Sequence, residues 1–89
     1  MIFDIRLSDS ASEDLEDLSV AIAKRITKKL KEIRASSDPM NYAKALTGDL
    51  KGLFRFRIGN YRAVFRKESD GTITIILILR VKHRKEIYD

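Results

Sequence analysis

A run of alternating apolar and basic residues between Leu53 and Arg66 constrains the fold of this chain more than any other segment. The run is divided in two by the dipeptide Gly59-Asn60. Alternation with a period of two is typical of a strand that has one buried face and one solvent face. Two such strands joined by a two-residue turn that contains glycine predict a β-hairpin with Gly59 and Asn60 at its tip.

The predicted hairpin separates its apolar and basic residues onto opposite faces. With the turn at Gly59-Asn60, Arg57 lies directly opposite Arg62. Like charges in directly opposite positions destabilise a sheet by about 0.2–1 kcal/mol per pair, so their presence here indicates a surface that binds a polyanion such as RNA. The basic face holds Arg55, Arg57, Arg62 and Arg66, and the core face holds Phe54, Phe56, Ile58, Tyr61, Ala63 and Phe65.

The 89 residues are enough for one domain with a single core, and we expect it to span 1–89. The chain has no cysteine, which excludes disulfides and thiolate metal sites, and it shows no other cluster of metal ligands. The longest apolar run, 75–79, is too short to cross a bilayer, and the N-terminus lacks a signal-peptide pattern. We therefore expect a soluble cytoplasmic protein that uses no metal or cofactor.

Positive charge is concentrated in the second half of the chain. The formal net charge is +5 at pH 7, of which residues 1–38 contribute −1 and residues 39–89 contribute +6. A basic surface of this kind is typical of proteins that bind nucleic acid. The alternative is a charge that only keeps the protein in solution, but the recurrence of arginine on one strand face favours nucleic acid.

The first 18 residues predict a strand followed by a helix. The strand covers Ile2–Leu7. For the helix, Ser10 and Glu13 fit a capping box, and Ser8 is the alternative N-cap. The apolar face of this helix holds Ala11, Leu15 and Leu18, and its acidic residues Glu13, Asp14, Glu16 and Asp17 are expected to face water.

A second helix is predicted after Ser19 and runs to about Ala35. Ser19 either interrupts the helical segment or caps the second helix. Its apolar stripe consists of Ile22, Ile26, Leu30 and Ile33. Its outer face is basic, with Lys24, Arg25, Lys28, Lys29 and Lys31. This basic face has three interpretations, which are a solvated helix surface, a contact with ribosomal RNA, and a contact with an acidic partner.

The remaining segments predict a short helical turn and a last strand. The breaker Ser36–Pro39 precedes a turn of helix within Met40–Leu46, and Thr47–Asp49 forms a loop. A three-residue turn at Ser69–Gly71 leads into a strand from Thr72 to Lys82. This turn length places Ile73, Ile75, Leu77 and Leu79 in the core and Arg80 and Lys82 on the face of Arg62. A two-residue turn would invert this assignment.

The order of these elements predicts an α+β fold. An N-terminal strand and a helical hairpin precede a small antiparallel sheet, and the helical hairpin packs on one face of that sheet. The opposite face stays open, and it is the basic face.

Three segments of the chain resemble the RelE/ParE toxin superfamily of toxin–antitoxin modules. Residues 8–18 resemble its first helix, 45–62 carry its hairpin motif, and 81–88 are more typical of the RelE branch. The resemblance implies a RelE-like fold and a metal-independent endoribonuclease that cuts mRNA on the ribosome. The alternative is the ParE branch, which shares the fold, inhibits DNA gyrase and lacks nuclease residues.

In the reaction that this resemblance implies, the RNA 2′-hydroxyl attacks the adjacent phosphorus and leaves a 2′,3′-cyclic phosphate and a 5′-hydroxyl. Such a reaction needs a base, an acid and cations that stabilise the charge on the phosphorane. The candidate catalytic residues are Arg57, Arg62, His83 and Tyr88, and the candidate RNA contacts are Lys51, Arg55, Lys82 and Arg84.

The candidate residues divide into phosphate-binding and proton-transferring groups. Arginine holds phosphate oxygens in pairs but keeps its proton, and the best-known members of the family carry lysines where Arg55 and Arg57 stand. The base or acid is therefore expected from Tyr88 or from His83, the only histidine, a residue type that titrates near neutral pH. The other interpretation of His83 is a surface residue of a polar tail, 83–89.

The resemblance also implies partners. These are a RelB-like antitoxin, the ribosome with its mRNA, and operator DNA only through the antitoxin complex, with no membrane. A third possibility beside nuclease and gyrase inhibitor is a toxin that has lost its activity and remains a repressor subunit.

Overall fold

In the computed structural model, which describes residues 2–87, two helices pack on one face of a five-stranded sheet. The predicted α+β fold is therefore confirmed. The strands are β1 (Ile2–Leu7), β2 (Ala43–Ala45), β3 (Phe54–Ile58), β4 (Tyr61–Ser69) and β5 (Ile73–His83), and the helices are α1 (Asp9–Glu16) and α2 (Val20–Ala35). Short 3-10 turns cover Pro39–Tyr42 and Gly48–Leu50.

The sheet has the order β1-β5-β4-β3-β2. Strands β3, β4 and β5 form the predicted antiparallel meander. Strand β1 runs parallel to β5, so the sheet as a whole is mixed. The sequence interpretation missed β2, because it took Met40–Leu46 as a turn of helix. Only Pro39–Tyr42 is helical, and Ala43–Ala45 pairs antiparallel with β3.

The hairpin at Gly59-Asn60 has the predicted register. Ile58 faces Tyr61 and Arg57 faces Arg62. Gly59 has a φ of 58°, and no non-glycine residue in the range 2–87 has a positive φ. Glycine with positive φ in the first turn position alone is the type II′ pattern, whose twist matches that of the strands it joins.

The first helix begins two residues earlier than a cap at Ser10 would place it. Ser8 is its N-cap, so the predicted capping box of Ser10 and Glu13 is wrong and the alternative cap is correct. The Ser8 hydroxyl oxygen accepts from the Ala11 N–H at 3.1 Å and donates to the Leu79 carbonyl at 2.9 Å. This one side chain therefore starts α1 and fixes its N-terminus to β5.

The second helix and the core follow the predicted apolar stripe. Ser19 caps α2 by accepting from the Ile22 N–H at 3.3 Å. Ile26 and Ile33 of α2 are fully buried against the sheet, where the ring centroids of Phe56 and Phe65 lie 4.4 Å apart. Both helices contribute to this one core, and no helix within residues 2–87 covers the opposite face of the sheet.

The predicted core face of β5 is wrong. Thr74, Ile76, Ile78 and Val81 are buried, whereas Ile73, Ile75, Leu77 and Leu79 are only partly buried. The turn length is the reason, because Ser69 pairs with Thr74, so four residues rather than three separate the first paired residues, and this reverses the inward and outward residues from Ile73 to Ile78. A β-bulge then follows, since Val64 pairs with Arg80 and Phe65 pairs with Ile78, which leaves Leu79 as an extra residue and restores the predicted faces beyond it. The prediction for Arg80 and Lys82 is nevertheless correct, since they lie beyond the bulge.

Candidate functional site

Three basic residues stand in register across the helix-free face of the sheet. Arg57 of β3 pairs with Arg62 of β4, and Arg62 pairs with Lys82 of β5. Directly opposite residues point to the same face, and the alternate residues Ala63 and Val81 lie in the core under the helices. We call Arg57, Arg62 and Lys82 the cationic row.

A second line of basic residues runs beside the cationic row. Lys44 of β2 pairs with Arg55, Arg55 pairs with Val64, and Val64 pairs with Arg80. Val64 is only 4% exposed although it lies on the helix-free face. The arrangement extends the basic surface across four strands.

The central residue of the cationic row folds back onto the hairpin turn. Arg62 is 6% exposed, and its Nη1 donates to the carbonyls of Gly59 at 3.1 Å and Tyr61 at 3.0 Å. Arg57, by contrast, is exposed. Arg62 thus stabilises the turn as well as adding charge, and Arg57 is the member of the row most accessible to a ligand.

Lys82 is held in the row by a carboxylate that the sequence interpretation placed in water. Asp14 is only 9% exposed. Its Oδ1 lies 3.3 Å from Lys82 Nζ, and its two oxygens accept from the Arg80 guanidinium at 2.9 and 3.0 Å. Its Oδ2 also accepts from the Val81 N–H at 2.9 Å. The expectation that Asp14 faces water is therefore wrong.

The position of Asp14 follows from the length of β1. Strand β1 pairs with β5 only as far as Ile78. Beyond that point β5 has no strand neighbour on this side, and α1 brings Asp14 against the unpaired Val81 N–H. The hydrogen bonds from Arg80 lower the pKa of the Asp14 carboxyl to about 2, with smaller contributions from Val81 and Lys82, while burial opposes them. The same pair raises the pKa of Arg80.

His83 lies on the other face of the sheet from the cationic row. It pairs with Tyr61, and the two rings meet edge to face with centroids 5.4 Å apart. Its Nδ1 accepts from the Lys85 N–H at 3.2 Å, which leaves the proton of the neutral ring on Nε2. A pocket of about 150 Å³ borders the ring and is lined by Asp14, Asp17, Leu18, Tyr61, Val81, Lys82, His83 and Glu86.

The other predicted site residues are distributed around the sheet. Arg84 is exposed, and its N–H donates to the Asn60 carbonyl at 2.7 Å, which places it beside the hairpin tip. Lys51 is exposed in the loop before β3, at the opposite end of that strand from Arg57. Tyr88 lies outside the described residues. The structure thus brings Arg55, Arg57, Arg62 and Lys82 together on one face but not Lys51 or His83.

Sequence reasoning missed Asp14 and Lys44, and a signal for Asp14 was present. Positions 11, 14, 15 and 18 recur at the spacing of one helix face, so Asp14 lies on the same face as Ala11. An acid on an apolar helix face indicates a buried ion pair, because an unpaired buried charge is costly. Lys44 gave no such signal, since its strand is three residues long.

Neither a metal site nor a membrane-spanning helix is found in the described part of the chain. Within residues 2–87, no group of three or more His, Cys, Asp or Glu side chains is arranged to hold a metal ion. No helix in this range is long and apolar enough to cross a membrane.

Comparison with known proteins agrees with this fold. A family model described as the ParE toxin of the parDE type II toxin–antitoxin system matches residues 5–88. The chain belongs to the RelE/ParE toxin superfamily. The toxin is 32% identical to Toxin RelG of Mycobacterium tuberculosis over 88 residues, which cover 99% of this chain and 98% of RelG.

Solved structures extend the match to the whole fold. The toxin–antitoxin complex RelBE2 of M. tuberculosis matches with a TM-score of 0.75 and 30% identity, covering 94% of each chain. The archaeal RelE–RelB complex of Pyrococcus horikoshii matches with a TM-score of 0.63 over 98% of this chain and 100% of that chain. Its identity of 22% supports the fold alone. The superfamily predicted from residues 8–18, 45–62 and 81–88 is therefore confirmed for this toxin.

Proposed function

We propose that this toxin is a metal-independent endoribonuclease that cuts mRNA on the ribosome and so inhibits translation. The observation that carries the proposal is the cationic row of Arg57, Arg62 and Lys82 on the helix-free face. Three cations in register match the spaced phosphates of a single RNA strand better than they match a neutral ligand. The similarity to RelG and RelBE2 supports the RelE side of the superfamily.

In the proposed reaction, the 2′-oxygen forms a bond to the adjacent phosphorus while the bond from phosphorus to the 5′-oxygen breaks. A base takes the proton of the 2′-hydroxyl, and an acid gives a proton to the departing 5′-oxygen. The phosphorane carries extra negative charge on its oxygens. Arg57 and Lys82 stabilise that charge, with Arg55 beside them, because positioned cations act most strongly where charge develops.

Proton transfer is assigned to His83 and Tyr88. His83 follows Lys82 at the end of β5, with its ring on the opposite face of the sheet from the cationic row, so in this proposal it acts on RNA that passes around the strand end. Because Lys85 donates to Nδ1, the ring presents an Nε2–H in its neutral form and must give up that bond to act through Nδ1. Tyr88 stays a proposal that rests on the family resemblance. Arg84 and Lys51 are assigned to RNA binding farther from the reacting phosphate.

The proposal includes a requirement for the ribosome. The cationic row lies on the outer face of a sheet, so RNA is contacted from one side only. Such a surface binds phosphates but does little to orient the 2′-hydroxyl in line with the leaving oxygen, which catalysis requires. We expect the ribosome to supply this orientation and the purified toxin to cut free RNA weakly or not at all.

The proposal extends to the partner that controls the toxin. RelBE2 and the P. horikoshii protein were both solved as toxin–antitoxin complexes. We propose that a RelB-like antitoxin binds and silences this toxin in the cytoplasm and that operator DNA is contacted only through that complex.

The decisive experiment compares Arg57→Ala with Lys67→Ala. Both residues are exposed cations of neighbouring strands, but Lys67 Nζ lies 5.1 Å from the Phe54 ring, away from the cationic row. Each variant is expressed at matched levels, and the 5′ ends of cellular mRNA are sequenced. Arg57→Ala should lose growth inhibition and the new 5′ ends by at least about 100-fold, whereas Lys67→Ala should keep both. Undiminished cleavage by Arg57→Ala would remove the row from the site.

Three further variants distinguish a structural role from a chemical role for Arg62 and for His83. Arg62→Ala should remove toxicity, but Arg62 also bonds the turn, so Arg62→Lys and a circular dichroism spectrum test for unfolding. His83→Gln should slow cleavage if the imidazole transfers a proton. A wild-type cleavage rate for His83→Gln would assign the ring to packing against Tyr61.

The second candidate function is inhibition of DNA gyrase without catalysis. The observation that favours it is the family model itself, which is that of the ParE toxin. Expression of a gyrase inhibitor would induce DNA-damage signalling and block supercoiling while leaving mRNA intact. A supercoiling assay with purified gyrase, run beside the mRNA 5′-end analysis, distinguishes the two functions.

A further inference from the structure

A pocket of about 280 Å³ lies where helix α2 passes the tip of the β3–β4 hairpin. The helix contributes residues at the spacing i, i+3, i+4 and i+7, which share one helix face. The pocket is lined by Arg25, Lys28, Lys29 and Glu32 of α2 and by Arg57, Ile58 and Gly59 of the hairpin. We call it the hairpin-tip pocket.

Arg57 can border this pocket because β3 lacks a neighbour at that point. Strand β2 pairs with β3 only from Phe54 to Phe56. The edge of β3 beyond Phe56 is therefore open toward α2, and Ile58 is buried beneath the helix while Arg57 is exposed. Arg57 thus belongs both to the cationic row and to the hairpin-tip pocket.

The pocket collects positive charge that the described residues do not balance. The one carboxylate among its described lining residues, Glu32, lies 3.7 Å from Lys29 Nζ, and Lys29 Nζ also lies 5.4 Å from the centre of the Tyr42 ring. Among residues 2–87, Arg25, Lys28 and Arg57 take part in no ion pair. Cations gathered without a counter-charge repel one another, and an anionic ligand would relieve that repulsion.

We propose that the hairpin-tip pocket binds phosphate groups of an RNA backbone. Guanidinium groups bind phosphate oxygens in pairs, and lysine adds a point charge. Since Arg57 is shared with the cationic row, one RNA strand can contact the row and continue around the hairpin tip onto α2. This inference rests on the proposed function for the choice of RNA, and it adds a second RNA-binding surface that the cleavage chemistry does not require.

The test uses two double variants with the same loss of charge on the same helix. Arg25→Ala/Lys28→Ala removes two exposed cations of the pocket, whereas Lys24→Ala/Lys31→Ala removes two cations of α2 that do not line it. The probe is a fluorescent RNA strand with 2′-O-methyl groups, which block cleavage. Its dissociation constant for each purified variant is measured by fluorescence anisotropy over a range of salt concentrations.

The pocket variant should bind the probe more weakly, and the slope of log affinity against log salt should fall by about 1 for each phosphate that the variant no longer binds. The control variant should keep the wild-type slope. Equal slopes for the two double variants, or no change in either, would overturn the inference. The inference would also be overturned if the pocket variant lost binding of polyglutamate but kept the wild-type affinity for RNA. That result would indicate an acidic protein partner.

The failure of this inference is distinguishable from failure of the proposed function. If binding of the RNA probe depends on the pocket but no mRNA is cut in cells, only the nuclease proposal fails. If mRNA cleavage depends on Arg57 while the double variant binds the probe like the wild type, only the pocket inference fails.

Discussion

Two strand ends in this sheet gather basic side chains, and they differ in whether the protein supplies the counter-charge. At the end of β5, Arg80 and Lys82 share the buried carboxylate of Asp14. At the tip of β3, Arg25, Lys28 and Arg57 border a pocket whose one carboxylate is engaged with Lys29.

The two ends have the same structural origin. In each case an edge strand is shorter than its neighbour, since β1 stops opposite Ile78 and β2 stops opposite Phe56. A helix then lies beside the exposed strand edge. The helix α1 presents an acid there, which offsets one of the two positive charges, whereas α2 presents further bases, so the second end is the more open to an external anion. The difference teaches that a basic cluster indicates a ligand only after internal ion pairs are counted.

The largest expected effect is the removal of the internal carboxylate. Asp14→Ala leaves the Val81 N–H without its acceptor and Arg80 and Lys82 without their counter-ion. We expect the free energy of unfolding to fall by about 2–4 kcal/mol, measured by urea denaturation. The control Glu16→Ala, an exposed acid of the same helix, should stay within about 0.5 kcal/mol of the wild type. Equal stability of the two variants would contradict the contrast between the strand ends.

The next largest effect is a loss of folding stability at acid pH that results from protonation of Asp14. Its folded pKa of about 2 lies below the ordinary value of 3.8. The ionised carboxylate therefore stabilises the fold fully above that ordinary value, and this contribution is lost as pH falls through the folded pKa. Urea midpoints of the wild type should decrease over this range more steeply than those of Asp14→Asn.

Asp70 is a second source of acid sensitivity and serves as an internal reference. Hydrogen bonds from the Ile73 and Thr72 N–H groups lower the pKa of Asp70. This residue is unchanged in Asp14→Asn, so that variant should retain a weaker decline at acid pH. Parallel curves for the two proteins would show that Asp14 does not contribute.

The smallest expected effect comes from giving the hairpin-tip pocket its own acid. Lys28→Glu places a carboxylate near Arg25 and Arg57, and it should raise the free energy of unfolding by about 0.5 kcal/mol at low salt. The gain should disappear at high salt, because surface charge interactions are screened. Lys51→Glu makes the same charge change in an exposed loop and serves as the control. A gain of the same size in both variants would mean that only net charge matters.

Local features of the sequence were sufficient to predict the hairpin and α2. The alternation around Gly59-Asn60 and the Ser19 cap depend on residues within a few positions of one another. Strand β2 was not predictable in this way, because its Ala-Lys-Ala sequence has little intrinsic strand preference. It forms a strand because the edge of β3 offers backbone hydrogen-bond partners.

The site was predictable to the extent that it depends on the hairpin register. Arg57 opposite Arg62 follows from the two-residue turn alone. The core face of β5 was predicted incorrectly because the turn before it is one residue longer than expected, since Ser69 pairs with Thr74. Lys82 nevertheless lies in the row, because the bulge at Val64/Phe65 shifts the register once more, so its prediction was correct although the turn length assumed for it was not.

The sequence by itself determined a basic hairpin, two capped helices and an excess of positive charge, because each of these depends on neighbouring residues. Only the tertiary structure decided which cations are neutralised. Asp14 and Arg80 are separated by 66 positions, and their contact requires that β1 end at Leu7, that Ser8 turn α1 back onto β5 and that the bulge direct Arg80 outward. The physical reason is that an ion pair depends on distance in space, which is set by strand lengths and register rather than by the order of residues.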